Sequence, residues 1–188
     1  MIDRMVLISN GPGAAMYDPN VHYDVVAGCR GIASRVPCHW WVIADATGYQ
    51  IGPRPLGRPN IWTRQNVASK LSERPDAKAD AERFAGEAVW HAEEGPQPAM
   101  PEDLLPRWYA WSGTSGLGLA LWLRPKRLDV FGMDLAGTQD AAGKDDPKNR
   151  SDIRWLDERR ITAYLLDNLA AAGTYVERLT PAGVFAHG

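Results

Sequence analysis

The sequence predicts an α/β protein built on a mostly parallel sheet of about six strands flanked by helices, and three observations carry that expectation. Short apolar runs end repeatedly in small or polar residues: residues 5–8 before Asn10-Gly11-Pro12-Gly13, residues 23–29 before Arg30-Gly31, and residues 38–44 before Asp45. Such runs are too short for helices and suit strands buried on both faces. An apolar segment opened by Ser112-Gly113 leads into a strand at 127–134, and a long amphipathic segment at 150–172 leads into another at 174–179. Helices alternating with strands are the mark of a parallel sheet with crossover connections. The chain therefore reads as one Rossmann-like domain over residues 1–188.

The first strand stops abruptly. Gly11 and Gly13 lack a Cβ, so the backbone there can approach another molecule closely, and Pro12 stiffens the loop between them. In open α/β sheets, ligands bind outside the carboxyl ends of the strands, and nucleotides are the common case. The loop is neither G-x-G-x-x-G nor a Walker A sequence, and its residues also suit a plain turn.

Residues 14–22 follow as a linker containing Asp18-Pro19-Asn20, and 46–59 is a Gly- and Pro-rich loop. Residues 60–64 suit a short strand, 65–73 a helical turn or two, and 88–91 a weak strand. Residues 74–86 alternate charge with alanine. Residues 93–106 hold four prolines and four acidic residues, the composition of an exposed loop. The stretch 74–107 reads as an insertion that covers the site.

Residues 112–123 are apolar nearly all round, which predicts a buried helix with a Ser/Thr-containing start, ended by Arg124-Pro125. A polar loop over 136–149 precedes the strongest helix of the chain. There Ser151 suits the cap, and Gly173 the stop. Ile153, Leu156, Ile161, Tyr164, Leu165 and Leu169 form its expected apolar face. Pro181 opens a short tail.

Composition narrows the classes. A net charge of −2 argues against general nucleic-acid binding and against a membrane-surface protein. No apolar stretch reaches membrane-spanning length, and Met1-Ile2-Asp3-Arg4 runs straight into a strand, so the expected compartment is the cytoplasm. Cys29 and Cys38 lack metal-like spacing and suit reduced thiols in the core. Eight tryptophans place some indoles at pocket walls or on a partner surface, which leaves a homo-oligomer open.

If the strands are parallel, their tips bring Asn10-Gly11-Pro12, Arg30, Asp45, Ser112-Gly113 and Asp134 to one edge. Singly, an Asp at a tip suits a turn, an Arg a surface charge, and a Ser a cap. Their recurrence at successive strand ends, beside a helix N-terminus that favours anions, points to a nucleotide-type ligand.

These residues also carry a resemblance. Asn10-Gly11-Pro12 after the first strand, Ser112-Gly113 opening an apolar helix, and Gly132-Met133-Asp134 ending the next strand resemble bacterial sialyltransferases of the Campylobacter type. They resemble as well the related group that includes the archaeal pterin pyrophosphokinases, and small phage-encoded proteins of similar layout. The resemblance implies that Asn10, Gly11 and Pro12 hold nucleotide phosphates or ribose. It places Arg30 and Asp45 near base or sugar, and makes Ser112 and Gly113 backbone donors to the same ligand. The sequence departs from that family where its chemistry sits. The segment Asp145-Asp146-Pro147-Lys148-Asn149-Arg150-Ser151-Asp152 has no histidine for a general base, Leu135-Ala136-Gly137-Thr138 has no tyrosines for the leaving group, and there is no room for a separate lid domain.

The expected function is a nucleotide-binding transferase, glycosyltransferase-like, that uses a nucleotide-activated donor and requires no further cofactor. Inverting glycosyl transfer needs a base at the acceptor hydroxyl and positive charge at the leaving phosphate. Asp134 is the first candidate for the base and Asp45 the second, with Arg150 or Lys148 at the phosphate. His22, His39 and His91 are scattered and suit structural places. Two alternatives stay open. One is a pyrophosphokinase-type phosphotransferase, which needs Mg²⁺ on Asp45 and Asp134. The other is a non-catalytic Rossmann-like module that binds a nucleotide or a protein partner.

Overall fold

The computed structural model describes residues 1–45, 53–64, 89–140, 142–145, 147 and 150–187. The apolar runs pair as strands: β1 (Arg4–Ile8), β2 (Val25–Cys29), β3 (Trp40–Ile43), β4 (Asn60–Thr63), β5 (Val89–His91), β6 (Arg127–Phe131), β7 (Tyr175–Thr180) and β8 (Gly183–His187). They form one sheet of order β5-β4-β3-β2-β1-β6-β7-β8. Every neighbouring pair is parallel except β7 with β8. The α/β class holds, with eight strands where the sequence predicts about six.

The extra edge strand is β8, in the stretch expected to be a tail. Pro181-Ala182 closes a tight hairpin in which Thr180 pairs with Gly183, and the Thr180 hydroxyl accepts the Ala182 N–H at 3.2 Å. Gly183 takes a φ of +138°, open to glycine without strain.

Two helices, α1 (Ser112–Leu123) and α2 (Asp152–Ala171), cover the sheet face that carries Met5, Leu7, Leu128 and Val130. The opposite face, with Val6, Ile8, Val26 and Phe131, is covered by Tyr23 and by short 3₁₀ turns at Pro12–Met16 and Arg30–Ser34. No helix among the described residues is long and apolar enough to cross a membrane.

β2 and β3 are shorter than the sequence predicts. Tyr23 lies just before β2, where its hydroxyl donates to the buried Asp129 carboxylate at 3.1 Å, and burial beside that charge pushes the phenol up to about 12. Asp129 also accepts from Arg4 at 2.6 Å and from Arg127 at 2.8 Å, an ion network across β1 and β6.

The expected apolar face of α2 is only half right. Ile161, Leu165 and Leu169 are fully buried, but Ile153 is 80% exposed and Leu156 61%. The inward stripe begins instead with Trp155 and Glu158, which continue the same three- and four-residue spacing. Ser151 is the cap, as expected, accepting the Arg154 N–H.

Residues 93–106 are not wholly exposed: Leu104 is fully buried in the main core, and 89–91 pair as β5. Of the stretch expected to be an insertion, residues 89–91 pair in the sheet and Ala92 and Leu104 are buried in the core, while 74–88, like the helical turns expected over 65–73, lies outside the described residues.

Small residues let α1 sit close on the sheet, with Gly113 through Ala120 all buried. A Cβ at Gly116 would meet the flexible tip of Leu7 at 2.5 Å, whereas one at Gly118 would overlap the rigid, fully buried indole of Trp108. Alanine adds about 1 kcal/mol of helix propensity over glycine, and overpacking a rigid core costs about 1–3 kcal/mol. Gly118→Ala should therefore lower unfolding free energy by up to about 2 kcal/mol, with Gly116→Ala near neutral, as read by urea denaturation of both variants.

Candidate functional site

The order of the sheet fixes where a ligand can enter. The chain leaves β1 towards β2 on one side, and returns through β6 on the other. A crevice therefore opens beyond the tips of these two central strands. The crevice is a cleft of about 940 Å³. Its lining includes Asn10 and Gly11 after β1, Arg30 after β2, Asp45 after β3, and Asp134 after β6. Ser112 and Gly113 at the start of α1, and Arg150 before α2, complete the predicted set within it. Pro12 is the exception. It is exposed as the first residue of its 3₁₀ turn and does not line the cleft.

The loop after β1 is stitched to the tip of β6. Ser9 N–H donates to the Phe131 carbonyl at 2.7 Å, and Gly11 N–H to the Gly132 carbonyl at 2.9 Å. Gly13 N–H then donates to Asp134 Oδ2 at 2.9 Å. A Cβ on Gly11 would overlap Asp134 Oδ2 and lie 2.5 Å from the Gly132 carbonyl, and one on Gly13 would lie 2.5 Å from Oδ1. Gly132, at φ +70°, leaves no space for a side chain against Ser9. The two glycines flanking Pro12 are thus required by the Asp134 carboxylate that sits against them. Oδ1 is buried with no hydrogen-bond partner among the described residues.

The start of α1 is held by β2 and β3. The Cys29 thiol donates to the Ser112 carbonyl at 3.3 Å, and the Ala44 N–H donates to Ser112 Oγ at 3.3 Å. Ser112 is the first residue of the helix rather than its cap. Trp111 occupies the cap position, and no side chain there accepts the first-turn N–H groups. Those groups and the helix dipole favour an anion at this end.

Arg30 adopts a left-handed φ of 48°, and its carbonyl accepts the Trp41 Nε1–H at 2.9 Å. Its guanidinium lies 3.4 Å from the Asp45 carboxylate, and both side chains are about half exposed. Arg150 spans the mouth. Its guanidinium donates to the Asn10 carbonyl at 3.2 Å and to the Gln139 carbonyl, which ties Gln139 to the loop after β1.

The cleft wall also holds residues that the sequence reading did not pick out: Trp111, Trp155, Arg154 and Glu158. Arg154 Nε donates to Glu158 at 3.0 Å, and Glu158 is 4% exposed. Burial pushes the Glu158 carboxyl above its ordinary range, against the opposing pull of Arg154 and Arg150. The four-residue spacing of 150, 154 and 158 was the available signal. The apolar pattern of the same helix masked it.

No histidine lines the cleft among the described residues. His39 Nδ1 accepts the Val26 N–H at 2.9 Å in a structural place, and the side chain of His91 lies outside the description. Lys148 is also outside the described residues. Burial pushes the Cys29 thiol well above the usual range and Cys38 up to about 12, so neither is a ready nucleophile. Among the described residues no three His, Cys, Asp or Glu side chains converge to hold a metal ion. No family model, curated protein or solved structure matches the chain.

Two predictions follow from the bracing at Asp134 and the burial of Glu158. Asp134→Ala leaves the Gly13 N–H unpaired and should cost about 1–3 kcal/mol in denaturant unfolding, while Asp134→Asn, which keeps an acceptor, should cost clearly less. For Glu158 the folded pKa lies above the unfolded one, so its ionised form opposes folding above that range and the opposition fades as pH falls. Glu158→Gln should raise the melting temperature at neutral pH, with the gain shrinking towards zero on acidification.

Proposed function

We propose that this chain is a Rossmann-like nucleotide-binding protein that works as a glycosyltransferase-like transferase on a nucleotide-activated donor. The observation that carries the reading is the meeting, in one cleft beyond β1 and β6, of the Asn10–Gly13 loop, the uncapped start of α1, and Arg150. The start of α1 offers N–H groups and Arg150 positive charge to a phosphate, while the loop, whose Gly11 and Gly13 N–H groups go to Gly132 and Asp134, brings Asn10 and Gly11 to the same edge. The resemblance of these motifs to the sialyltransferase and pterin pyrophosphokinase group supports the same ligand class.

In this reading the phosphate lies at the N–H groups of Ser112 and Gly113, with Arg150 opposing its charge as the glycosidic bond to the donor breaks. Asn10 and Gly11 let the ribose or phosphate approach the backbone. Asp45 is the better-placed base, because its carboxylate is about half exposed to the cleft, whereas Asp134 braces the loop. Asp45 would take the proton of the acceptor hydroxyl, with the Arg30 guanidinium 3.4 Å from its carboxylate. Phosphotransfer in place of glycosyl transfer would need Mg²⁺ shared by Asp45 and Asp134, and the anchoring of Asp134 Oδ2 by Gly13 argues against that arrangement.

A second reading, a nucleotide-binding module without turnover, draws on the absence of a histidine from the described cleft lining. The two readings separate in one experiment. Nucleoside mono-, di- and triphosphates and nucleotide sugars are screened by thermal shift, each with and without Mg²⁺. A millimolar ligand with a Kd of about 10 μM should add about 2.7 kcal/mol. Arg150→Ala should weaken the best ligand about tenfold or more. Asp45→Asn should keep binding and abolish turnover if the chain is a transferase. Stabilisation by no nucleotide would remove both readings.

A further inference from the structure

The cleft wall holds more charge than a loop-and-helix phosphate site requires. Arg150, Arg154 and Glu158 recur every four residues, which sets them in a row along the first turns of α2 and its lead-in. Trp155 is in contact with both guanidiniums, Arg150 at 5.3 Å from the ring centre and Arg154 at 4.9 Å, and Arg154 also lies 5.9 Å from the Trp111 ring. All five side chains line the cleft.

Among the described residues, the row itself carries two guanidiniums and one carboxylate. Glu158 pairs with Arg154 at 3.0 Å. Arg150 gives its donors to two carbonyls, and among the described residues no carboxylate bonds to it. Burial and the neighbouring Arg154 both push the Arg150 guanidinium below its ordinary value, against the opposing pull of Asp140, Glu158 and Asp134. A tetrahedral oxyanion between Arg150 and Arg154 would supply the missing charge with paired, charge-assisted hydrogen bonds. The same anion would stand beside the buried Glu158. Two negative groups so close cannot both remain ionised at little cost, so the carboxyl is the one that takes a proton.

We propose that Arg150 and Arg154 form a two-guanidinium subsite for the phosphate of the ligand, and that Glu158 is a positioning residue that holds Arg154 in the empty cleft and takes up a proton from solvent when the anion binds. The identity of the anion as a nucleotide's phosphate rests on the function proposed above; the subsite and its proton linkage do not. Among the described residues, Arg154 and Arg150 bear on Glu158, and Glu158 in turn bears on the Cys29 thiol at the tip of β2, which burial keeps protonated through neutral pH. Asp134 and Asp140 face Arg150.

Sulfate is a suitable probe, because its charge is constant through the range in which a buried carboxyl titrates. Binding of radiolabelled sulfate to the full chain is measured by equilibrium dialysis between about pH 5 and about pH 8. The expected result is binding several-fold tighter at the acid end for the unmodified chain. For Glu158→Gln the expected profile is flat, and as tight at the alkaline end as the unmodified chain is at the acid end. Arg150→Ala and Arg154→Ala should each weaken sulfate by about tenfold or more. A measurement free of variants is calorimetric titration of the unmodified chain with sulfate in buffers of different ionisation enthalpy, which should report net proton uptake. A pH-independent affinity, no proton uptake, the same pH slope in Glu158→Gln, or full binding by either arginine variant would overturn the subsite. Sulfate binding with no nucleotide binding would support the subsite and remove the nucleotide reading, and nucleotide binding with no sulfate binding would remove the subsite alone.

Discussion

The rest of the structure depends on the seam between the tips of β1 and β6. Three N–H groups of one tip, from Ser9, Gly11 and Gly13, are received in succession by Phe131, Gly132 and Asp134 of the other. Strand pairing alone would end at Ile8 and Phe131. The seam carries the pairing on into the loop, and it sets the backbone edge of the cleft before any ligand arrives. Because the fit leaves no space for a Cβ at Gly11, Gly13 or Gly132, the loop has one shape available to it.

The other cleft elements are aimed by packing that is dictated elsewhere. α1 lies low on the sheet where Gly113 meets Met133 and Gly116 meets Leu7, with no room for a larger side chain. That depth brings its first turn level with the tips of β2 and β3, where Cys29 and Ala44 take hold of Ser112. α2 contributes through its polar start, and its apolar half, from Ile161 to Leu169, fixes its position on the core. The aromatic residues of the wall have a double place. Trp155 is buried yet donates its Nε1–H to the Gly137 carbonyl at 3.1 Å, so the same ring supports two arginines and anchors the segment that crosses the mouth.

Much of this was legible in the sequence because it depends on local signals. Apolar runs ending in Gly, Asn or Asp gave the strands and their tips. The parallel arrangement then brought the predicted residues that are described, Pro12 excepted, to the cleft lining. What could not be read depends on contacts distant in the chain. Asp134 looks the same whether it is a base or a brace, and only the approach of Gly13 from the other tip decides its surroundings. Ile153 and Leu156 lie on nearly the opposite side of α2 from Trp155 and Glu158, and the sheet, rather than the helix, selects the side with Trp155 and Glu158. β8 was missed because its five residues follow a proline, and its pairing comes from a hairpin only two residues wide. Leu104 shows the same limit in a proline-rich stretch, where composition describes the average residue and not the single one that is buried.

The central place of β1 has a consequence for how the chain is made. Met5 is flanked by Val25 on one side and by Leu128 on the other. The first pairing is near in sequence and can close while the chain is still short. The second must wait until β6 has left the ribosome, and both long helices that shield the sheet also come late. The early strands are thus synthesised with one apolar face uncovered, and joining the halves is a long loop closure with a high entropy cost. Assembly should be slow and ordered, with the crevice beyond β1 and β6 among the last features of the molecule to exist.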